Sequence, residues 1–159
     1  MGTYLADATA LDGPIPTRKL IGLTDDEALA DANGTLAAAI TANSAIDTRI
    51  LRAITDAEAQ VNGYLRKQIA TPVSPVPDLV VRLTEAVAVY NLFRRRRTEY
   101  SEIPKAVKAD YDDAMTTLRD VSRGTMDLGE ATPPADSPLI VATTGGEDRA
   151  FTATTLEDY

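Results

Sequence analysis

Cysteine and histidine are both missing from this chain of 159 residues. Without cysteine there is no disulfide, no thiolate nucleophile and no cysteine-ligated zinc. The lack of histidine excludes Ser-His-Asp and Cys-His arrangements, imidazole metal ligands and the usual acid–base group near neutral pH. A chain of this kind works in a reducing cytosol or is indifferent to redox state. Aromatic residues are scarce, at 5 %, so the core must come from Leu, Ile, Val and Ala. The run Leu36-Ala37-Ala38-Ala39-Ile40 adds helix propensity but little buried volume. Such a core is thin and favours a chain that completes its burial against neighbours. No stretch has the roughly 18 apolar residues that a bilayer span needs, and the first residues have neither the basic start nor the apolar run of a signal peptide. Basic residues are the minority, 16 against 24 acidic ones, for a net charge of −8. That balance argues against a dedicated duplex-DNA binder, whose affinity would come from neutralising phosphates.

What is present is helical rhythm. Ile50, Ile54, Val61, Tyr64 and Leu65 fall on one face of a helix over about 47–66, with Asp47 as its N-cap. A second helix, over about 78–96, carries Leu79, Leu83, Ala86, Tyr90 and Phe93 as a stripe for packing against another helix. A third, over about 104–123, repeats the rhythm at Val107, Tyr111, Ala114, Leu118 and Val121. Pro104 suits its first turn and Gly124 its end. The elbow Thr71-Pro72-Val73-Ser74-Pro75-Val76-Pro77 separates the first two helices. The fold class predicted is all-α: a three-helix bundle core at 47–129, an N-terminal segment with short helices at 1–46, and an extended linker and arm at 130–159.

The N-terminal segment offers few apolar points, at Tyr4-Leu5, Leu11 and Leu20-Ile21. Pro14 and Pro16 predict extended backbone between them. Thr24 can cap a short helix whose first turn holds Asp25, Asp26 and Glu27, acids favourable at the positive end of a helix dipole. Asn33-Gly34 predicts a turn that ends it, and a weak helix is expected within 35–45. After Thr125 the composition changes. Ala131-Thr132-Pro133-Pro134-Ala135-Asp136-Ser137-Pro138 reads as a stiff linker, followed by the β-prone Leu139-Ile140-Val141.

Chemistry is hard to find in this pattern. Asp31-Ala32-Asn33-Gly34 is similar to the middle of a calcium-binding EF-hand loop, but Leu29 and Ile40 stand where its first ligand and its closing glutamate belong. A plain turn is the better reading. Asp110, Asp112 and Asp113 flank Tyr111 on a helix face expected to be solvated, with no sign of a pocket that would raise a carboxyl pKa. The glycine motifs that cradle phosphates are absent. The expectation is therefore a protein that is not an enzyme and holds no cofactor or metal.

Two features point to partners instead. Arg94, Arg95, Arg96 and Arg97 close the second helix. Cations there stabilise the helix end and can pair with Asp110, Asp112 or Asp113; alternatively, some of them reach an acidic partner subunit, or DNA directly. In the tail, Arg149, Phe151, Leu156 and Tyr159 follow a polar linker. They read either as a frayed end or as a tethered peptide whose apolar anchors dock in a groove or add a strand to another molecule.

Several stretches, in order, resemble the Mu-like phage neck proteins, which are related in role to the head-tail connectors of tailed phages. They are Lys19 to Asp25, Ala57 to Leu65, Pro72 to Leu79, Ala88 to Leu92 followed by arginines, Tyr111 to Ala114, Gly124 to Gly129, and the ending with Arg149, Phe151, Thr152, Leu156 and Tyr159. The likeness covers roughly 17–129 and the last residues. Two departures stand out: Gly13-Pro14-Ile15-Pro16 sits where such proteins have a short helix, and 27–45 is Ala-rich in place of a Gly/Asp-rich turn. The resemblance implies a structural virion protein, a neck adaptor assembled in the host bacterial cytoplasm as a homo-oligomeric ring of about twelve copies, a dodecamer, with closed cyclic symmetry. Its implied partners are itself, the phage portal protein and a tail-side neck or terminator protein, with DNA passing through the lumen without specific binding and no membrane involved. A DNA-binding packaging or regulatory subunit of a phage, using the helix pair around the elbow, is the competing reading.

Overall fold

The computed structural model of the chain describes residues 3–96 and 102–128. These form a short 3-10 turn at Ala8–Leu11 and five helices: α1 Thr17–Thr24, α2 Leu36–Ala42, α3 Ala45–Leu65, α4 Asp78–Arg95 and α5 Lys105–Arg123. No strand occurs among the described residues, and no helix among them is long and apolar enough to cross a membrane. The fold is all-α.

Prolines and small polar residues set the helix starts. Pro16, Pro77 and Pro104 stand immediately before α1, α4 and α5, where their fixed φ leads into the first turn and their missing N–H leaves no donor unpaired. Thr35 caps α2 by accepting from the Ala38 N–H. Gly124 ends α5 in the left-handed conformation at φ 74°, and the N–H groups of Gly124 and Thr125 turn back to the carbonyls of Val121 and Asp120. Two expected boundaries move. Asp47 is not the N-cap of α3, which begins at Ala45 after Ser44 and so places Asp47 inside the first turn. Between Pro14 and Pro16 the chain turns instead of extending, because the Ile15 N–H reaches back to the Leu11 carbonyl.

The largest correction concerns Thr24. It does not open a helix; it closes α1, held by its hydroxyl donating to the Leu20 carbonyl at 2.8 Å. Asp25, Asp26 and Glu27 therefore lie beyond the negative end of a helix, where the dipole disfavours them and neighbouring cations must compensate. Residues 25–34 form a loop, with the Asp31–Gly34 turn closed by the Gly34 N–H on the Asp31 carbonyl.

The three long helices pack on one another in every pairing; α1 rests on α3 and α4, α2 on α1 and α3, and the 3-10 turn on α3. The core is not theirs alone. Leu5, Leu11, Ile15, Leu20, Ile21 and Leu36 join Ile46, Ile50, Ile54, Val87 and Leu92 in one buried cluster. A second gathers Tyr4, Val61, Leu65, Ile69, Val73, Val80, Leu83, Leu118 and Val121 beneath the elbow. Sparse as it looks in sequence, the N-terminal segment thus supplies a large part of the apolar interior.

The face of α4 that is buried most deeply differs from the expected one. Val80, Val87 and Leu92 are fully covered, whereas Leu79, Ala86, Tyr90 and Phe93 are only partly so. α4 has neighbours on several sides, so apolar residues run around much of its circumference. The stripe read from the sequence is the face turned toward α5. There Tyr90 stacks on Tyr111 with ring centroids 4.0 Å apart and planes 14° from parallel. Gln60 of α3 donates to the Tyr111 hydroxyl at 3.3 Å.

A buried acid fastens the first residues. Glu58 on α3, 6 % exposed, accepts from the N–H groups of Tyr4 at 2.6 Å and Leu5 at 3.2 Å. The Tyr4 hydroxyl donates to Asn62 Oδ1 and accepts from the Val73 N–H at 3.0 Å, so one side chain ties the N-terminal segment to α3 and to the elbow. Burial pushes the Tyr4 phenol pKa up, only partly offset by the Val73 N–H.

Candidate partner-binding surfaces

The carbonyls that α1 leaves without helical partners define the first surface. Beyond the Ile21 carbonyl, which takes the Asp25 N–H, the last three meet an arginine each. Gly22 O accepts from Arg96, Leu23 O from Arg95 at 2.7 Å and Thr24 O from Arg49 at 2.6 Å. The same guanidinium groups neutralise the acids that follow. Arg95 holds both oxygens of Asp26 at 2.9 and 2.8 Å, Arg96 lies 3.9 Å from it, and Arg49 pairs with Glu27 at 2.9 Å and Asp26 at 3.4 Å. Asn43, between α2 and α3, completes the knot by donating to Asp25 at 2.9 Å and Glu27 at 2.6 Å.

All three carboxyls are held below the usual carboxylate range. For Asp25 the main cause is the Ala30 N–H, with burial opposing it; for Asp26 it is the Arg95 hydrogen bond, and for Glu27 that of Arg49. The cations that a helix C-terminus calls for thus come from α3 and α4, far away in the chain. One strained point lies inside the loop: Ala28 has φ 53°, a conformation that side chains with a Cβ seldom adopt.

The arginine run expected to serve the next helix or a partner is therefore divided. Arg95 and Arg96 are engaged at the end of α1, and their ion pairs among the described residues are with Asp26, not with Asp110, Asp112 or Asp113. Those three acids are exposed on α5. Arg94, with Arg49, Arg52, Asp56, Asn91 and Arg95, lines a cleft of about 410 Å³ between α3 and α4. Arg52 and Arg94 have no ion pair among the described residues. Arg97 lies outside those residues, as do Arg149, Phe151, Leu156, Tyr159 and the proposed β-prone stretch Leu139–Val141.

A second surface is apolar. Between α4 and α5 runs a groove of about 620 Å³ whose floor is Leu83, Ala86, Val89 and Phe93 of α4 with Val107 and Ala114 of α5. Its rim carries both signs of charge: Lys19 and Arg82 against Glu85, Asp110 and Asp113. Pro14 and Pro16 border it, and the Lys19 ammonium sits 5.6 Å from the centroid of the Phe93 ring.

Arg49, Asn43 and Arg52 escaped the sequence reading. Arg49 and Arg52 lie within α3 and Asn43 at the α2–α3 junction, and the partners of Arg49 and Asn43 are distant in sequence, so no local spacing marks them. The Asp31–Gly34 stretch is a turn, and among the described residues no group of acids is placed to hold a metal ion.

The family model described as Bacteriophage Mu, Gp36 matches residues 6–141. No curated protein matches the chain.

Proposed function

Because the chain belongs to the bacteriophage Mu Gp36 family and is thus a Mu-like phage protein, we propose that it is a structural, non-catalytic component of the virion: a neck adaptor that forms a ring between the portal and the tail. The observation that carries this reading is that the body presents two chemically unlike faces. One is the cleft with Arg52 and Arg94, which have no ion pair among the described residues; the other is the apolar groove between α4 and α5. A two-fold dimer needs one patch that fits itself, whereas in a ring each subunit offers its two neighbours different patches. The tail with Arg149, Phe151, Leu156 and Tyr159 supplies a further means of attachment, to an adjacent subunit or to the portal. Net charge −8 suits a wall past which DNA slides without being held. The absence of histidine and cysteine leaves few of the usual nucleophiles and bases for any reaction.

The competing role, a DNA-binding packaging or regulatory subunit, draws its cations from the arginine run. It is weakened because Arg95 and Arg96 are engaged within the fold. Imaging of the neck of the intact particle at side-chain resolution tests the proposal. It should show copies of this chain in a closed ring under the portal; finding the chain elsewhere, or bound along DNA, would overturn it.

A further inference from the structure

The groove between α4 and α5 is an apolar helix–helix face left partly open on the body of a protein with few large side chains. Its Leu79, Ala86, Phe93 and Val107 remain partly exposed, though each packs against a buried cluster. We propose that its occupant is the 149–159 segment of a neighbouring copy, with Phe151, Leu156 and Tyr159 as the anchors on the groove floor. The proposal rests on the ring reading and names the contact that would link one subunit to the next.

Length, charge and reach support this choice. Along α4 the groove lining from Leu79 to Phe93 extends about 21 Å at the helical rise. In extended conformation the chain from Phe151 to Tyr159 covers about 26 Å, a match to within about one helical turn. The rim offers Asp110 and Asp113 of one sign and Lys19 and Arg82 of the other. The segment brings Arg149 before its anchors and Glu157 and Asp158 among them, so each sign has an opposite to meet.

Reach permits a neighbour's groove. The near end of a chain's own groove, at Thr117, is about 10 Å along α5 from Gly124. The stretch from Gly129 to Arg149 contains Pro133, Pro134 and Pro138 and at a polyproline rise can span about 60 Å. That reach is long enough to bridge to the groove of an adjacent copy, and a contact made between copies completes burial and links the ring at once, which one made within a chain does not. Docking within one chain is the alternative that cross-linking separates.

The lack of native cysteine makes the test direct. Full-length chains carrying Ala86→Cys on the groove floor are mixed with full-length chains carrying Ala153→Cys, assembled, and oxidised mildly; any disulfide between the two must join two copies. The expected result is a cross-linked pair at least tenfold more abundant than with Ala37→Cys, exposed on α2, in place of Ala86→Cys. Adding Phe151→Ala and Leu156→Ala to the Ala153→Cys chain should cut the yield about tenfold. No cross-link within an assembly whose mass is intact would overturn the groove contact and leave the ring. Absence of both assembly and cross-link would overturn the two together. One chain carrying both Ala86→Cys and Ala153→Cys, diluted into an excess of cysteine-free chains, should not close on itself; an internal disulfide there would also overturn the proposal.

Discussion

Arg95 grips both carboxylate oxygens of Asp26, at 2.9 and 2.8 Å, across 69 positions of sequence. The same guanidinium donates to the Leu23 carbonyl at 2.7 Å. One side chain on the last turn of α4 therefore closes the end of α1 and neutralises the acid just beyond it. That contact fastens the N-terminal segment to the end of α4 nearest the basic cleft.

Replacing Arg95 by Ala should destabilise the fold by about 1 to 2 kcal/mol, in the range of hydrogen bonds to charged groups reduced by partial exposure. Arg95→Lys should recover less than half of that, because an ammonium cannot reproduce the planar fork that spans Asp26 and the Leu23 carbonyl. Urea denaturation followed by circular dichroism measures both. Equal stability of the Ala and Arg proteins would show that the contact contributes nothing.

Stability should also fall in acid. Asp25, Asp26 and Glu27 have folded-state pKa values below their unfolded ones, so the unfolded chain takes up protons first as pH falls. Their contribution is complete above the ordinary carboxylate pKa of about 4, and is lost as pH drops through that value toward the lower folded ones. Denaturation curves between pH 6 and pH 3 should show the decline starting below about pH 5, and Asp26→Asn should make it shallower. A wild-type curve that is flat over this range would contradict the assignment.

The sequence shows the long helices well because their start and stop signals are local: Pro77 before α4, Pro104 before α5, Gly124 after it. The Asn33-Gly34 turn is legible for the same reason, while the helix within 35–45 shows in its Ala- and Thr-rich composition and not in the Thr35 cap. Thr24-Asp25-Asp26-Glu27 misleads, since an N-cap pattern with acids after it looks the same whether a helix begins there or has just ended. Only tertiary structure brings Arg49, Arg95 and Arg96 to compensate the wrong end of the dipole. The stripe on α4 was visible, but spacing alone cannot tell a face that is covered from one left as a groove. The run that holds Arg94 stands out in sequence, while its companion Arg52, three residues after Arg49 on α3, gives no such signal.

Glu58→Ala should cost about 1 to 3 kcal/mol, because it leaves the N–H groups of Tyr4 and Leu5 buried without an acceptor. Glu58→Gln keeps an oxygen at that position and should restore part of the loss. Hydrogen exchange at the Tyr4 and Leu5 amides gives the local readout. Unchanged protection in the Ala variant would contradict the latch.

Gly124→Ala forces a Cβ into the left-handed conformation at φ 74° and should cost about 1 kcal/mol. The added methyl meets only the Gln68 side chain, at 3.5 Å, so the loss is conformational and not steric. Thermal melting checks it. Ala28→Gly, at φ 53°, should shift stability the opposite way.

The direct measure of the central claim is the mass of the full-length protein by sedimentation, alone and mixed with the portal protein of its own phage. A closed oligomer that co-sediments with the portal is the predicted result. A 17.0 kDa species that remains solitary whether or not portal is present would contradict the account.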